Sequence, residues 1–235
     1  MFESVSPERG LRNCLFPLLV VILAIVLEYS GLDRAFVSQF YDAQNQQWLW
    51  KKHWFLSDIM HTAGKNLAVA VAVLILITWL GSFALAVLRP YRRQLLFLLL
   101  ASLSGPLIVS LLKTVTHIST PWGLEIFGGS KPYIRIFDAV PESMPLGKAF
   151  PGGHSSGGFA FFSFYFLTLY CYPRYRWQAL MLPLLVGGSF ALTQWLRGAH
   201  FPSHDLFSLA ICWCAAWFWA RLLLAGICHE EGAGI

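Results

Sequence analysis

Apolar residues fall in six long runs along this chain, separated by short polar connections and by longer loops. Runs of about 18 or more predominantly apolar residues are long enough to cross the hydrocarbon core of a bilayer as helices. We therefore predict an all-α fold, a polytopic membrane protein with six transmembrane helices. We expect one membrane-embedded domain over residues 1–235, with spans at residues 13–32, 67–88, 94–113, 155–172, 177–196 and 203–227.

The composition agrees with a membrane protein and excludes a nucleic-acid partner. Hydrophobic residues make up 57% of the chain and charged residues only 12%, whereas soluble domains carry about 25% charged residues. The net charge of +5 is scattered, with no block rich in lysine or arginine of the kind that binds nucleic acids. The five cysteines are odd in number and lie in or beside apolar runs. We predict that they are unpaired packing residues rather than a disulfide framework or a zinc site.

The distribution of arginine predicts the orientation in the membrane. The connections at residues 89–93 and 173–176 are very short and dense in arginine, and the N-terminal tail adds Arg9 and Arg12. Short loops rich in lysine and arginine lie on the cytoplasmic side, so we expect both termini in the cytoplasm. The first apolar run does not end in a small-x-small cleavage site, and it is predicted to be a retained span rather than a signal peptide.

Three polar stretches then fall on the opposite, outer face of the membrane. They cover residues 113–122, 151–155 and 197–205, and they contain lysine, glycine, histidine and arginine. These residue types suit the binding and transfer of phosphate. A further outer stretch, residues 33–66, mixes tryptophan with lysine and is typical of a segment at the membrane interface.

The second polar stretch has the pattern of an anion-binding loop. Gly152 and Gly153 let backbone N–H groups approach an anion, and the start of a helix adds unpaired donors. His154 follows directly and would stand beside the anion as a proton donor. A simple turn and helix cap is the alternative interpretation of these residues.

The third polar stretch places a histidine next to possible partners. Arg197, His200 and His204 are spaced by three and four residues, which puts them on one face if the stretch is helical. A polar partner one turn away fixes the tautomer of a histidine and stabilises its imidazolium form, as a nucleophile requires. A solvated loop between two spans is the alternative.

Taken in order, these motifs resemble those of the PAP2 (type 2 phosphatidic acid phosphatase) superfamily, which read K-x6-R-P, P-S-G-H and S-R-x5-H-x3-D. The resemblance covers about residues 94–227 and is to a bacterial membrane-bound branch with variant motifs one and three. Lys113, Gly153, His154 and His200 match the family lysine, glycine and two histidines. At five positions the family arginine, serine, serine, arginine and aspartate are replaced by Thr120, Gly152, Thr193, Gln194 and His204.

The resemblance implies hydrolysis of a phosphate ester through a phosphohistidine intermediate, without a metal or other cofactor. His200 would be the nucleophile and His154 the proton donor, and either His204 or Asp205 would orient His200. The groups that bind the phosphate would be Lys113, Arg197, Gly152, Gly153 and Lys131. Which cations replace the two family arginines is left open. A lysine at the end of an apolar helix, such as Lys113, is also typical of a side chain that simply reaches the headgroups.

We therefore expect an integral membrane lipid phosphatase that hydrolyses a phosphate monoester or diphosphate of a lipid. Its site would face the periplasm at the bacterial inner membrane. Its partners would be the bilayer and a phosphorylated lipid, with no nucleic acid and no obligate protein partner. A lipid phosphotransferase would need the same residues, and a non-catalytic protein that binds anionic lipid is the alternative from another class. The residues do not choose among the lipid phosphates.

Overall fold

α-Helices make up most of the chain in the computed structural model, which describes residues 7–142 and 144–225. This confirms the predicted all-α fold class. Within the described residues, the sheet is one antiparallel hairpin of β1 (Tyr41–Asp42) and β2 (Gln47–Trp48). The helices are α1 (Pro7–Ser30), α2 (Leu32–Ser38), α3 (Gly64–Gly81), α4 (Arg92–Lys113), α5 (Gly153–Phe159), α6 (Phe162–Cys171), α7 (Arg176–Leu196) and α8 (Pro202–Leu223).

Five helical segments of the described chain are long and apolar enough to cross a membrane, so the predicted count of six spans is not confirmed. The fourth predicted span, residues 155–172, instead forms the shorter helices α5 and α6, with a turn at Ala160 and Phe161 between them. Glycine weakens a helix, and Gly158 lies so close to Gly187 of α7 that a Cβ there would overlap the backbone. The five segments are Gly10–Ser30, Phe55–Gly81, Ala86–Lys113, Pro173–Leu196 and Pro202–Leu223.

The second span begins well before the predicted range of residues 67–88. A π-helix, Phe55–Ala63, runs directly into α3. The chain then turns after α3 and enters a 3₁₀-helix, Ala86–Tyr91, that continues into α4. Arg92 closes this turn by donating from Nη2 to the carbonyl oxygen of Ser82 at 2.7 Å. The predicted loop at 89–93 is therefore helical, and the connection lies a few residues earlier.

Helix α8 holds the bundle together, because it packs against α1, α4, α5 and α6. Trp213 of α8 lies in the main apolar core, where its ring centroid is 5.2 Å from that of Phe162 and 5.0 Å from that of Phe166. Ring pairs at this separation add to the energy of apolar burial. A hydrogen bond of 2.8 Å between the hydroxyls of Ser102 and Ser163 joins α4 to α6.

A second apolar cluster joins the outer loops beside the start of α8. Its ring contacts fix the turn that precedes α8, because Gly198 has φ +72° and a Cβ there would overlap the ring of Trp48. Trp48 is only 7% exposed, so its ring packs inside the protein instead of facing the headgroups. Trp54, at 63% exposed, is accessible as an interfacial residue would be. The buried members of the cluster are Val37, Trp48, Leu124, Phe127 and Phe201.

The prediction of unpaired cysteines is wrong for Cys171, which is disulfide-bonded. Cys14, Cys212 and Cys214 are free. Sequence spacing does not reveal which cysteines the packing of helices brings together. The end of the sixth predicted span and the C-terminal tail, residues 226–235, lie outside the described residues, and so does the predicted location of that tail.

Candidate active site

The three polar stretches meet at one end of the bundle. Lys113, the last residue of α4, donates from Nζ to the carbonyl oxygen of Pro151 at 3.3 Å. The N–H of Gly152 donates to the carbonyl oxygen of His204 at 3.0 Å. The ends of α4 and α7 and the starts of α5 and α8 therefore surround one site, as the sequence predicts.

The glycine loop is held by hydrogen bonds to its carbonyl groups. The hydroxyls of Ser208 and Ser155 donate to the carbonyl oxygen of Gly152 at 2.8 and 3.1 Å. Since the N–H of Gly152 is already donated to His204, this group joins the loop to α8 instead of facing a ligand. Gly153 begins α5, and the first N–H groups of a helix have no partner within the helix.

His200 lies in the turn between α7 and α8. A hydrogen bond of 2.8 Å from the N–H of Ala199 to the carbonyl oxygen of Gln194 shapes this turn. His200 is 7% exposed, and burial lowers its pKa well below the usual value because the charged form loses hydration. The nearby charges of Lys113 and His204 lower this pKa further. The ring is therefore neutral at physiological pH.

His204, rather than Asp205, faces His200. The Nδ1 atoms of the two rings are 3.5 Å apart, the long limit of a hydrogen bond. Asp205 points elsewhere: it accepts hydrogen bonds from Ser155 Oγ at 2.5 Å and from Trp195 Nε1 at 2.6 Å. The sequence left both residues open as partners of His200, and the geometry favours His204.

Asp33 supports the start of α8 and was missed by the sequence interpretation. Its Oδ1 accepts a hydrogen bond from the N–H of Ser203 at 3.2 Å, so a carboxylate of α2 caps the helix that contains His204. Asp33 is 1% exposed, and burial raises its pKa to about 6 against the opposing effect of Ser203. No sequence pattern connects a residue of α2 with a helix that starts so much later.

His154 stands one residue before the fourth predicted span and is fixed by its neighbours. Its Nε2 lies 3.0 Å from the carbonyl oxygen of Met60 in the π-helix. A carbonyl oxygen only accepts, so Nε2 carries the proton and Nδ1 the lone pair. The ring stacks on Phe190 at 4.4 Å and lies 4.7 Å from the ring of His61. Burial, followed by the charge of His61, lowers the pKa of His154 to about 4.

A cavity of about 440 Å³ opens beside His154. Its polar end is lined by Lys113, Gly153, His154 and two residues that the sequence interpretation did not assign to the site, His61 and Lys65. The rest of the lining is mostly apolar and comes from α3, α4 and α5, including Val71, Ala72, Ile75, Leu103, Pro106 and Phe161. Lys65 precedes an apolar run, where lysine is common because its side chain can reach the lipid headgroups. The sequence therefore gave no sign that Lys65 lines a cavity.

The remaining candidate cations lie in different places. The charge of Arg197 contributes to lowering the pKa of His154. Nε of Arg197 donates to the carbonyl oxygen of Lys51 at 3.4 Å. The backbone of Lys131 pairs with that of Gly123 within the outer loop, and no described contact joins its side chain to either site histidine. Arg135 is engaged by Asp138 in an ion pair of 2.9 Å.

The two positions where the family motifs carry arginine hold no cation. Gln194 is 3% exposed, and within the described residues its Nε2 has no hydrogen-bond partner. Thr120 is partly buried at the start of the short 3₁₀ turn Pro121–Gly123. In the described part of the chain, no group of three or more His, Cys, Asp or Glu residues is arranged to hold a metal ion.

A helical bundle with long apolar helices fits a membrane protein, and the lysine, the glycine loop and the two histidines at one end form its candidate site. The chain belongs to the PAP2 superfamily, whose family model matches residues 94–226, more than half of the chain. A comparison with curated proteins and one with solved structures found no match. Members of this superfamily are in general phosphatases or related hydrolases, so the family supports a phosphatase-type function.

Proposed function

We propose that this protein is an integral membrane lipid phosphatase, which cleaves a phosphate monoester or diphosphate of a lipid at the periplasmic face of a bacterial inner membrane. The observation that carries the proposal is the cavity beside Lys113 and His154, which is cationic at one end and apolar along its depth. A phosphate matches the cations, and a hydrocarbon tail matches the apolar lining. The short connections dense in arginine, at the opposite ends of the helices, support the orientation.

His200 is the nucleophile in this proposal. Its Nδ1 faces His204, so Nε2 is the nitrogen that attacks phosphorus. The neutral ring has a lone pair on Nε2 when its proton is on Nδ1, and His204 accepts that proton in a hydrogen bond. An N–P bond forms, the bond from phosphorus to the leaving oxygen breaks, and its electron pair stays on that oxygen.

His154 serves the leaving oxygen and then the attacking water. Because Nε2 donates to the carbonyl oxygen of Met60, Nδ1 is the nitrogen that exchanges protons with the substrate. In the first step the imidazolium form of His154, which the bound phosphate anion favours over the neutral ring, gives its Nδ1 proton to the leaving oxygen. In the second step a water molecule attacks the phosphohistidine, its proton passes to His154, and the N–P electron pair returns to His200. Phosphate leaves and the starting enzyme is restored.

Lys113 stabilises the charge on the phosphate oxygens. Its ammonium group is half-buried at the end of α4 and acts electrostatically on His200, next to the phosphorus that His200 attacks. A preorganised cation in a site with little water stabilises a transition state more than it would in bulk water. The N–H of Gly153 is a second donor on the same side, while Gly152 positions His204.

A phosphate-release assay on the purified protein in detergent tests the proposal directly. We expect release from lipid phosphates that survives EDTA, because lysine and histidine carry the charge and the chemistry. Orthovanadate should inhibit it strongly, because a phosphate analogue with five-coordinate geometry resembles the transition state. Activity lost in EDTA and restored by a divalent cation would contradict the mechanism, and transfer of phosphate to a second lipid instead of to water would indicate the phosphotransferase.

Replacing Lys113 by methionine removes the charge while keeping most of the side-chain volume. We expect kcat/KM for the lipid phosphate to fall about 10²-fold, the usual cost of losing one charge-stabilising group. The matched control is Lys52→Met, which removes an exposed lysine of the same outer face and should leave the rate within about twofold. A Lys113→Met rate within about threefold of the wild-type rate would show that another cation bears the charge.

A further inference from the structure

We propose that His61 is a positioning residue for His154. Its ring and the carbonyl oxygen of the preceding residue, Met60, together hold the imidazole of His154 with Nδ1 turned to the leaving oxygen. This inference rests on the proposed phosphatase function and adds to it a residue of the second span. His61 precedes residue 94, so it lies outside the part of the chain that the family model matches.

The contacts of His154 show why more than one neighbour is needed. Its Nε2 is fixed by the hydrogen bond of 3.0 Å to Met60, but one hydrogen bond leaves the plane of the ring free to turn, because the χ2 torsion of histidine is broad. Two flat rings restrict that plane. Phe190 stacks on His154 with 4.4 Å between ring centroids and an interplanar angle of 29°. His61 lies at 4.7 Å with an angle of 34°, and aromatic rings at such separations attract each other in defined arrangements.

A π-helix presents both groups to the site from consecutive residues. Met60 and His61 lie in the nine-residue π-helix Phe55–Ala63. π-Helical turns are rare in proteins and are frequent at functional sites. The hydroxyl of Thr62 supports the wide turn, because it donates to the carbonyl oxygen five residues earlier at 3.0 Å. One local change of helix geometry therefore sets both the hydrogen-bonded nitrogen and the plane of the ring.

The packing of the second span against α7 requires a glycine beside this π-helix. Helix α3 begins at Gly64, directly after the π-helix, and a Cβ on Gly64 would lie 2.7 Å from the ring of Phe190. Phe190 is 6% exposed, so it cannot move away freely. This close approach keeps the rings of Phe190 and His61 against His154.

The role of His61 is contact and not proton transfer. In residues 7–142 and 144–225 the two histidines share a ring contact and no hydrogen bond. His154 therefore remains the group that gives its proton to the leaving oxygen. A positioned acid of this kind accelerates a reaction by about 10²–10⁴-fold, and a displacement of about 1 Å is enough to lose much of that effect.

Two substrates that differ in one atom test whether His61 acts through the acid. The leaving group of dodecyl phosphate is an alkoxide that needs a proton, whereas S-dodecyl phosphorothioate has sulfur at the bridging position and releases a thiolate, a much weaker base. We expect His61→Ala to lower kcat/KM for dodecyl phosphate about tenfold and to leave the value for the sulfur analogue within about twofold, because only the oxygen substrate depends on a proton from His154. His61→Phe should keep both values within about threefold of the wild type, since the phenyl ring preserves the contact.

Gly64→Ala should produce the same selective loss by a different change. Its Cβ would push Phe190 away from His154, so we expect dodecyl phosphate to be affected more than the sulfur analogue. Gly188→Ala is the matched control, because a Cβ there would meet nothing within 4 Å, and it should change neither value. His154→Ala sets the upper limit of the selective loss.

The unfolding temperature in detergent and the rate with the sulfur analogue check the folding of each variant. Equal losses on the two substrates in His61→Ala, or a His61→Phe protein as slow as His61→Ala, would overturn the positioning role and leave the phosphatase function in place. Absence of phosphate release from both substrates in the wild-type protein would count against the phosphatase function itself, and against the inference with it.

Discussion

His200→Ala is expected to lose phosphate release by about 10⁴-fold or more. The substitution removes the nitrogen that attacks phosphorus. Catalytic residues that act together depend on one another, so losing the nucleophile alone removes nearly all of their rate enhancement. The same variant should fail to form a covalent intermediate. Incubation with a ³²P-labelled lipid phosphate, followed by rapid quenching at alkaline pH, should label the wild-type protein and leave His200→Ala unlabelled.

The control for this experiment is another histidine on the outer face. His53 is exposed and its ring packs against Trp50 at 5.2 Å, so His53→Ala should keep both the labelling and the rate. Because His200 is buried, the variant must also be shown to unfold at a temperature close to that of the wild type. A folded His200→Ala protein that released phosphate at more than about a tenth of the wild-type rate would reject His200 as the nucleophile.

Apolar runs predicted a helix well where the apolar sequence alone is enough to make the segment helical. The run at 94–113 became α4 and the run at 177–196 became α7, each within two residues, because uninterrupted apolar sequence leaves a bilayer-length helix as the favourable solution. The π-helix at Phe55–Ala63 was missed, because its polar residues Ser57, Asp58 and His61 interrupt the apolar sequence on which the prediction of helices was based. The broken helix at 155–172 depends on contact with α7, which one segment alone does not reveal.

The residues of the site could be predicted only where the chemistry lay in a compact pattern. Lys113, His154 and His200 stand in ordered motifs, and the structure brings their three stretches together. His61, Lys65 and Asp33 come from the preceding outer region, and only folding makes them neighbours of the motifs. The sequence also could not predict which residue pairs with His200, because the orientation of the Asp205 side chain depends on Ser155 and Trp195 in two other helices.

Gly152→Ser, which restores the serine of the family motif, is expected to damage the protein severely. A Cβ at this position would overlap Oδ1 of Asp205 and lie 2.9 Å from Oγ of Ser155. Asp205 is 2% exposed and held by hydrogen bonds, so it has little room to yield. Overpacking of this kind costs about 1–3 kcal/mol. Because the loop also positions Lys113 and His204, we expect kcat/KM to fall about 10²-fold, with a lower unfolding temperature in detergent.

Gly188→Ser is the matched control, because a Cβ at Gly188 would meet nothing within 4 Å. It should leave both the unfolding temperature and the rate nearly unchanged. If Gly152→Ser behaved in the same way, the close contact with Asp205 would not constrain the loop.

The double variant Gly152→Ser with Asp205→Ala separates the steric cause from a general intolerance of the loop. Asp205→Ala alone should destabilise the protein, because it leaves Trp195 Nε1 without its acceptor and removes the shorter of the two hydrogen bonds of Ser155 Oγ. In the double variant the serine side chain enters the space that the carboxylate has left, so the two losses should not add. We expect a coupling of about 0.5–3 kcal/mol in the free energy of unfolding, in the direction of rescue. Such coupling would show that Gly152 and Asp205 depart from the family motifs together, because the carboxylate of Asp205 occupies the space that the family serine would need. Strictly additive losses would show two independent changes.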